Sequence, residues 1–331
     1  MKLSVIIPVY NAAPFLEKLI DTITAFTFTD FECIFIDNNS ADSSIATLKE
    51  LLQKTSLDYL ILSEEKQGAG HARNAGIKNA KGEYLAFLDC DDIILPEKFE
   101  RDMEIFSNHD VDFVFCRAKR IYEDGRMIKK PIEGVFEGIN SPPDLGYIWL
   151  LNYFKLPGTG ALVARREIVE SLGSFHTSLT GEDAFLFIRL GMAYRGWFYD
   201  EVLAHYIRHK QSTTSISNRS ENSRLRRYFE LRQNLYNDLI IQSNEKAIQI
   251  LGEQLQTDLL KLQQLGDDIK VVLKKEIRND LRLSYLLFNP ISLFINRRVP
   301  HIKYNPFYQI DRKIFKKRRD RVFLGLKFEN L

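Results

Sequence analysis

The sequence predicts an α/β fold, with a mainly parallel sheet covered by helices on both faces and a helical appendage after it. Three observations carry this. Short apolar runs recur at residues 3–9, 31–36, 57–62, 83–88 and 111–116, and they are continuous rather than alternating, as strands buried on both faces are. Helical spacing fills the gaps, as in Phe15, Leu16, Leu19, Ile20 and Ile23. After Thr214 glycine becomes scarce, and Leu, Ile, Gln, Lys and Glu dominate as far as Asn289-Pro290. The expected division is therefore 1–215 for the α/β domain and 216–331 for the helical one.

Taken in order, the first run ends in PVYN (8–11), the second in DNNS (37–40) and the fourth in DCDD (89–92). Ligands of parallel sheets bind beyond the carboxyl ends of the strands, so these three stretches should gather at one rim. Beyond residue 117 the pattern changes: YEDGRM reads as a hairpin turn, and SPPD (141–144) as a loop entering a helix.

With 331 residues, 45% of them hydrophobic, the chain can build one large domain or a domain with an appendage. Lys and Arg (46) nearly balance Asp and Glu (44), so the whole-chain charge argues neither for a nucleic-acid binder nor for an acidic protein. Cys33, Cys90 and Cys116 are widely spaced and form no CxxC pair, as expected of reduced core thiols. The N-terminal apolar run is too short for a secretory signal, and no stretch approaches the roughly 18 apolar residues that span a membrane. A cytoplasmic location is expected. The last 41 residues, from Ile291, hold eleven Lys or Arg against three acids. Such a segment can rest on anionic lipid at the inner membrane face, dock a protein, or be a solvated helix.

The stretch YLAFLDCDD runs a buried strand into Asp89, Asp91 and Asp92. Two carboxylates about 4 Å apart repel by roughly 4 kcal/mol at an effective dielectric near 20, so the cluster asks for a proton or a cation. Hard oxygen ligands of this kind suit Mg2+ or Mn2+, which keep open positions for phosphates. A solvated loop leading to a helix start near Pro96-Glu97 is the plainer reading of the same residues.

The segment KQGAGHARNAGIKNAKGEYLAFLDCDD (66–92) places a glycine loop, Arg73 and Asn74 one helix before this strand end, with SVIIPVYN and IDNNSADS preceding it. In these ordered motifs, and in GTGALVARREIVESLGSFHTSLTGEDAFLFIRL (158–190) and YIRHKQSTT (206–214), the first 215 or so residues resemble the family 2 glycosyltransferases of the GT-A fold. The resemblance implies a Rossmann-like sheet and transfer of a hexose or N-acetylhexosamine from a UDP-sugar to a hydroxyl of a cell-surface glycan or glycoprotein.

It also implies residue roles. Pro8, Val9, Tyr10 and Asn11 would rim the nucleotide base, and Asp37 would accept the uracil imide N–H, unless it merely closes an Asx-turn. Asn38 and Asn39 depart from the family's usual Asp and Gly, although Asn39 still tolerates left-handed angles beside the nucleotide-sugar. Gly68 and Gly70 would admit backbone amides to the diphosphate, and Arg73 would pair with phosphate or clamp the acids. Asp89, with Cys90 beside it, would lie on the ribose side. Asp91 would hold Mn2+ or Mg2+ together with His209, with Asp92 as a less certain third ligand. Asp183 would be the base of an inverting displacement, with Glu182 and Gly160 supporting the acceptor side. The plainer reading of Glu182-Asp183 is acids at a helix start. Two other functions fit parallel strands with acidic ends: a non-catalytic scaffold of a glycosylation complex, and a phosphotransfer protein.

Overall fold

The computed structural model describes residues 1–177, 181–209, 212 and 220–264. The basic segment from Ile291 lies outside the described residues. Contacts divide the chain into two compact units, Met1–Lys210 and Gln211 onward.

The first unit is built on a ten-stranded sheet: β1 (Leu3–Val9), β2 (Phe31–Asp37), β3 (Tyr59–Ser63), β4 (Tyr84–Phe87), β5 (Ile93–Ile94), β6 (Phe113–Tyr122), β7 (Met127–Lys129), β8 (Gly138–Asn140), β9 (Leu162–Arg165) and β10 (Gly196–Arg208). The main order is β3-β2-β1-β4-β9-β6-β10-β5, with β7 on β6 and β8 on β10. The four strands β3, β2, β1 and β4 are parallel, and so are β6 and β10. β9 is inserted antiparallel between β4 and β6, which makes the sheet mixed beyond the parallel half. All five apolar runs became strands. The YEDGRM stretch forms the β6–β7 hairpin, with Tyr122 N donating to Arg126 O.

Helices α1 (Leu16–Thr24), α2 (Ser44–Leu52), α3 (Ala69–Asn79), α4 (Lys98–Asn108), α5 (Asp144–Leu151), α6 (Arg166–Ser171) and α7 (Glu182–Ala193) accompany the sheet. The helical spacing read in the sequence is the buried stripe of α1: Leu16, Leu19, Ile20 and Ile23 join the core of β1, β2, β6 and α4 side chains. Each such aliphatic side chain stabilises the fold by roughly 1.5–3 kcal/mol through its burial. Beneath it, Lys98 and Asp102 pair on consecutive turns of α4, wholly buried, and Tyr199 Oη donates to Asp102 at 2.9 Å.

The second unit comprises α8 (Glu221–Tyr236), α9 (Leu239–Gln242) and α10 (Glu245–Gln264). Ser220 caps α8, its Oγ accepting from Ser223 N at 3.0 Å. Leu225, Phe229 and Leu235 of α8 and Leu251, Leu255 and Leu259 of α10 are buried, and Arg232 forms an ion pair with Asp258 across the two helices. Among the described residues no helix is long and apolar enough to cross a membrane.

Candidate active site

Register assembles the rim. Val9 stands opposite Asp37, and Asp37 opposite Ser63, so β1, β2 and β3 end side by side. Tyr10, just past β1, is 54% exposed, which leaves its ring face open to a planar ligand. Asn11 and Asn39 take left-handed angles, φ 47° and 66°, that turn the chain at the two strand ends. Asn11 Oδ1 accepts from Ala41 N at 2.8 Å, tying the two turns together. Asp37 Oδ1 accepts from Ser40 N at 3.0 Å, so the Asx-turn is present; Oδ2 has no partner among the described residues.

Asn38 is the hub of this corner. It is buried; its Nδ2 donates to Glu64 O and Lys66 O at 2.9 and 2.8 Å, and its Oδ1 accepts from Gly68 N at 2.7 Å. The sequence reading took Asn38 only as a departure from the family pattern. The amide's two-donor, two-acceptor inventory is what lets one side chain fasten the whole glycine loop.

Gly68, at φ 136°, precedes α3, and Gly70 lies so close to the chain at His176 that an added Cβ would stand 2.7 Å from its carbonyl oxygen. Arg73, one turn on, is only 4% exposed. Its Nη2 donates to Asp89 Oδ1 and its Nη1 to Glu182 Oε1, each at 2.6 Å, while its guanidinium stacks 5.2 Å from the Phe175 ring centre. Burial works against that charge, but Asp89 and Glu182 outweigh it and raise the guanidinium further above its ordinary value. Asn74 exchanges two hydrogen bonds with the Phe175 backbone, at 2.8 and 2.9 Å. Helix α3 is thereby pinned to the chain that leads into α7. Arg73 thus ties Asp89 to Glu182.

The acidic cluster follows β4. Asp89 Oδ2 accepts from Thr159 Oγ1 at 3.2 Å. Cys90 Sγ donates to Pro8 O at 3.2 Å, and burial, followed by the three neighbouring aspartates, raises its thiol, so it stays neutral. β5 then pairs antiparallel with β10, Ile93 opposite His205, and this carries the end of β10 back over the cluster. Ile207 N donates to Asp92 Oδ1 at 3.0 Å, and His209 Nε2 meets Asp91 Oδ2 at 2.8 Å. Asp92, 5% exposed, is thus held by backbone. Burial and then the neighbouring carboxylates raise both Asp91 and Asp92 above the usual carboxylate range. The Phe15 ring, 5.1 Å from the imidazole, holds His209 from the side.

Among the described residues no three His, Cys, Asp or Glu side chains form a ready-made metal cage. Asp91 and His209 alone fit a hard divalent cation that takes one or two protein ligands and fills its shell with phosphate and water. A cation there would also relieve the charge cost that burial places on Asp91.

Asp183, in the first turn of α7, has no hydrogen bond or ion pair among the described residues, and the helix N-terminus favours its charge. Glu182 beside it is committed to Arg73; burial raises its carboxyl, Arg73 pulls it back, and Asp183 adds to the rise. Gly160 is buried in a 3-10 turn beneath the site, where an added Cβ would stand 2.8 Å from Ile94 Cδ1; its place is packing under the rim, away from the surface. Thr159, the partner of Asp89, was not singled out in the sequence, although the GTG that contains it was.

A family model, Glycosyl transferase family 2, matches residues 4–173. An uncharacterized glycosyltransferase of Nostoc sp. is 33% identical over 174 residues, 52% of this chain and 53% of the relative. One from Haemophilus influenzae is 28% identical over 189 residues, 56% of this chain and 60% of the relative. The chain thus matches little more than half the length of these two curated relatives. Among solved structures, Staphylococcus aureus TarS (residues 1–349) in complex with UDP-GlcNAc superposes with a TM-score of 0.65 at 18% identity, over 92% of this chain and 91% of that one. The mannosyltransferase PcManGT of Pyrobaculum calidifontis, in complex with GDP-Man and Mn2+, gives 0.53 at 17% identity, over 88% and 86%. At such identity these two show the shared fold. The chain belongs to glycosyl transferase family 2.

Proposed function

We propose that this family member is an inverting, metal-dependent glycosyltransferase that moves a hexose or N-acetylhexosamine from a UDP-sugar to a hydroxyl of a cell-surface glycan or glycoprotein. The observation that carries the reading is the placement of Asp183: a carboxylate without a hydrogen-bond or ion-pair partner among the described residues, on a helix tied through Glu182 and Arg73 to Asp89. The TarS complex with UDP-GlcNAc, and the presence of Mn2+ and a nucleotide-sugar in the mannosyltransferase, support it on this fold.

In this reading Asp37 Oδ2 accepts the uracil imide N–H, Tyr10 stacks on the base, and the Gly68 loop brings backbone amides to the diphosphate. A divalent cation held by Asp91 and His209 would supply charge neutralisation for the departing diphosphate. Asp89, fixed by Arg73 and Thr159, accepts from the ribose. Asp183 takes the proton of the acceptor hydroxyl as its oxygen bonds to the anomeric carbon; the anomeric C–O bond to diphosphate breaks on the opposite face, and configuration inverts. One base suffices for this single displacement.

The test is UDP release from UDP-glucose, UDP-galactose and UDP-GlcNAc by the full chain, compared with Asp183→Asn. Turnover should fall by about 10²–10⁴-fold with UDP affinity retained. An Asp183→Asn protein of undiminished turnover would remove the base. Binding without turnover across donors and acceptors would instead favour the scaffold reading.

A further inference from the structure

On the β6/β10 half of the rim, three cations converge. Arg120 of β6 stands directly opposite Tyr206 of β10, and Arg208 opposite Tyr122, in the parallel β6/β10 pair. Lys130 extends the β6–β7 hairpin, its backbone N donating to Ala118 O at 2.9 Å. Lys130 Nζ donates to Leu156 O at 2.7 Å and lies 5.4 Å from the Tyr206 ring centre; the Arg208 guanidinium is 4.7 Å from the same ring. Arg120 stacks 5.4 Å from the ring of Phe154.

This arrangement is costly as it stands. Lys130 is 9% exposed, and the Arg120 Nε is buried without a hydrogen-bond partner among the described residues. Among the described residues no Asp or Glu forms an ion pair with any of the three. Burial first, then Arg120 and Arg208, push the Lys130 ammonium down to about 7, although Asp183 and Asp92 favour its charge. Like charges gathered at low dielectric without a fixed counter-ion are stabilised by an anion that arrives from outside. Guanidinium forks beside an ammonium match the oxygens of phosphate or carboxylate.

Arg208 precedes His209 in the chain, but the cluster as a whole lies across the sheet from the residues assigned to the base and the glycine loop. The base and glycine-loop residues belong to β1, β2 and α3, on the far side of β4 and β9 from β6 and β10. Of the acids, Asp183, assigned above to the acceptor hydroxyl, most favours the charge of Lys130. Gly158 leaves room beside it: at φ 93°, an added Cβ would stand 3.5 Å from Lys130 Nζ and 3.2 Å from Tyr206 Cε2.

We infer that Arg120, Lys130 and Arg208 form an oxyanion subsite for the acceptor, receiving a phosphate or carboxylate carried near the hydroxyl that is glycosylated. The inference rests on the glycosyltransferase reading and narrows its acceptor to an anionic one.

The test is saturation-transfer NMR on the full chain, free and with UDP and Mg2+, using glycerol 3-phosphate, glycerate and glycerol as probes. An anionic probe should bind at least tenfold more tightly than glycerol, and Arg120→Gln and Arg208→Gln should each weaken it at least tenfold with UDP affinity unchanged. Preference between the two anions identifies phosphate or carboxylate. Lys130→Gln alters a buried position, so the two arginine variants, with circular dichroism matching the parent, carry the result. Equal binding of anion and glycerol, or undiminished binding by both variants, would overturn the subsite. So would a loss of UDP affinity in the variants, which would assign the cations to the donor diphosphate. If UDP fails to bind the parent while the anion still binds the free protein, the donor reading fails and the subsite stands.

Discussion

Arg73 and Glu182 lie 109 residues apart in the chain, and Arg73 Nη1 meets Glu182 Oε1 at 2.6 Å. The same guanidinium holds Asp89 with its other nitrogen, so one side chain fixes the distance between the strand that carries the acidic cluster and the helix that carries Asp183. In the proposed reading, the donor side and the acceptor side of the site share a single fastener.

Arg73→Ala should therefore cost more than a surface ion pair. It leaves two largely buried carboxylates without their partner, a change worth about 3–5 kcal/mol. Urea denaturation of parent and variant measures it. Arg73→Lys keeps the charge but lacks the fork, and it should lower turnover by at least tenfold while recovering part of the stability.

Asn38→Asp should destabilise the glycine loop. The amide nitrogen that now donates to Glu64 O and Lys66 O would become a carboxylate oxygen facing two carbonyls. The expected loss is about 1–3 kcal/mol by chemical denaturation, with weaker UDP binding, because Gly68 is positioned by the same side chain.

Lys130 gives a pH dependence of definite sign. Burial, Arg120 and Arg208 bring it from 10.5 down to about 7, so between those values the unfolded chain binds a proton that the folded one does not. Stability contributed by this group rises with pH from about 7 towards 10.5, by at most about 1.4 kcal/mol per unit. Denaturation at pH 7 and pH 9 should show the parent gaining on Lys130→Met over that interval.

Much of the first unit was legible because it depends on local pattern. Continuous apolar runs became β1 to β4 and β6, and the stripe of α1 and the start of α7 at Glu182 are where the spacing puts them. Asp37, Gly68, Asp89 and Asp91 stand at strand ends or a helix start, positions that short-range signals reach. Partners across long separations were not legible from spacing. Asp91 and His209 are 118 residues apart, and their meeting depends on β5 pairing antiparallel with β10, a two-residue strand that leaves almost no trace in sequence. The insertion of β9 between β4 and β6 is hidden for a similar reason: a four-residue strand with three buried residues fits either direction of pairing. Nothing in the spacing of the cations at 120, 130 and 208 marks them as neighbours, because only strand register and a hairpin bring them together.

The central claim is that the acids after β4 hold a cation for a nucleoside diphosphate. Isothermal titration of UDP into the full chain with Mn2+, and again with EDTA, tests it most directly. Binding should depend on the metal, be lost in Asp91→Ala and be weakened at least tenfold in His209→Ala. Binding of equal strength with EDTA, or undiminished in Asp91→Ala, would contradict it.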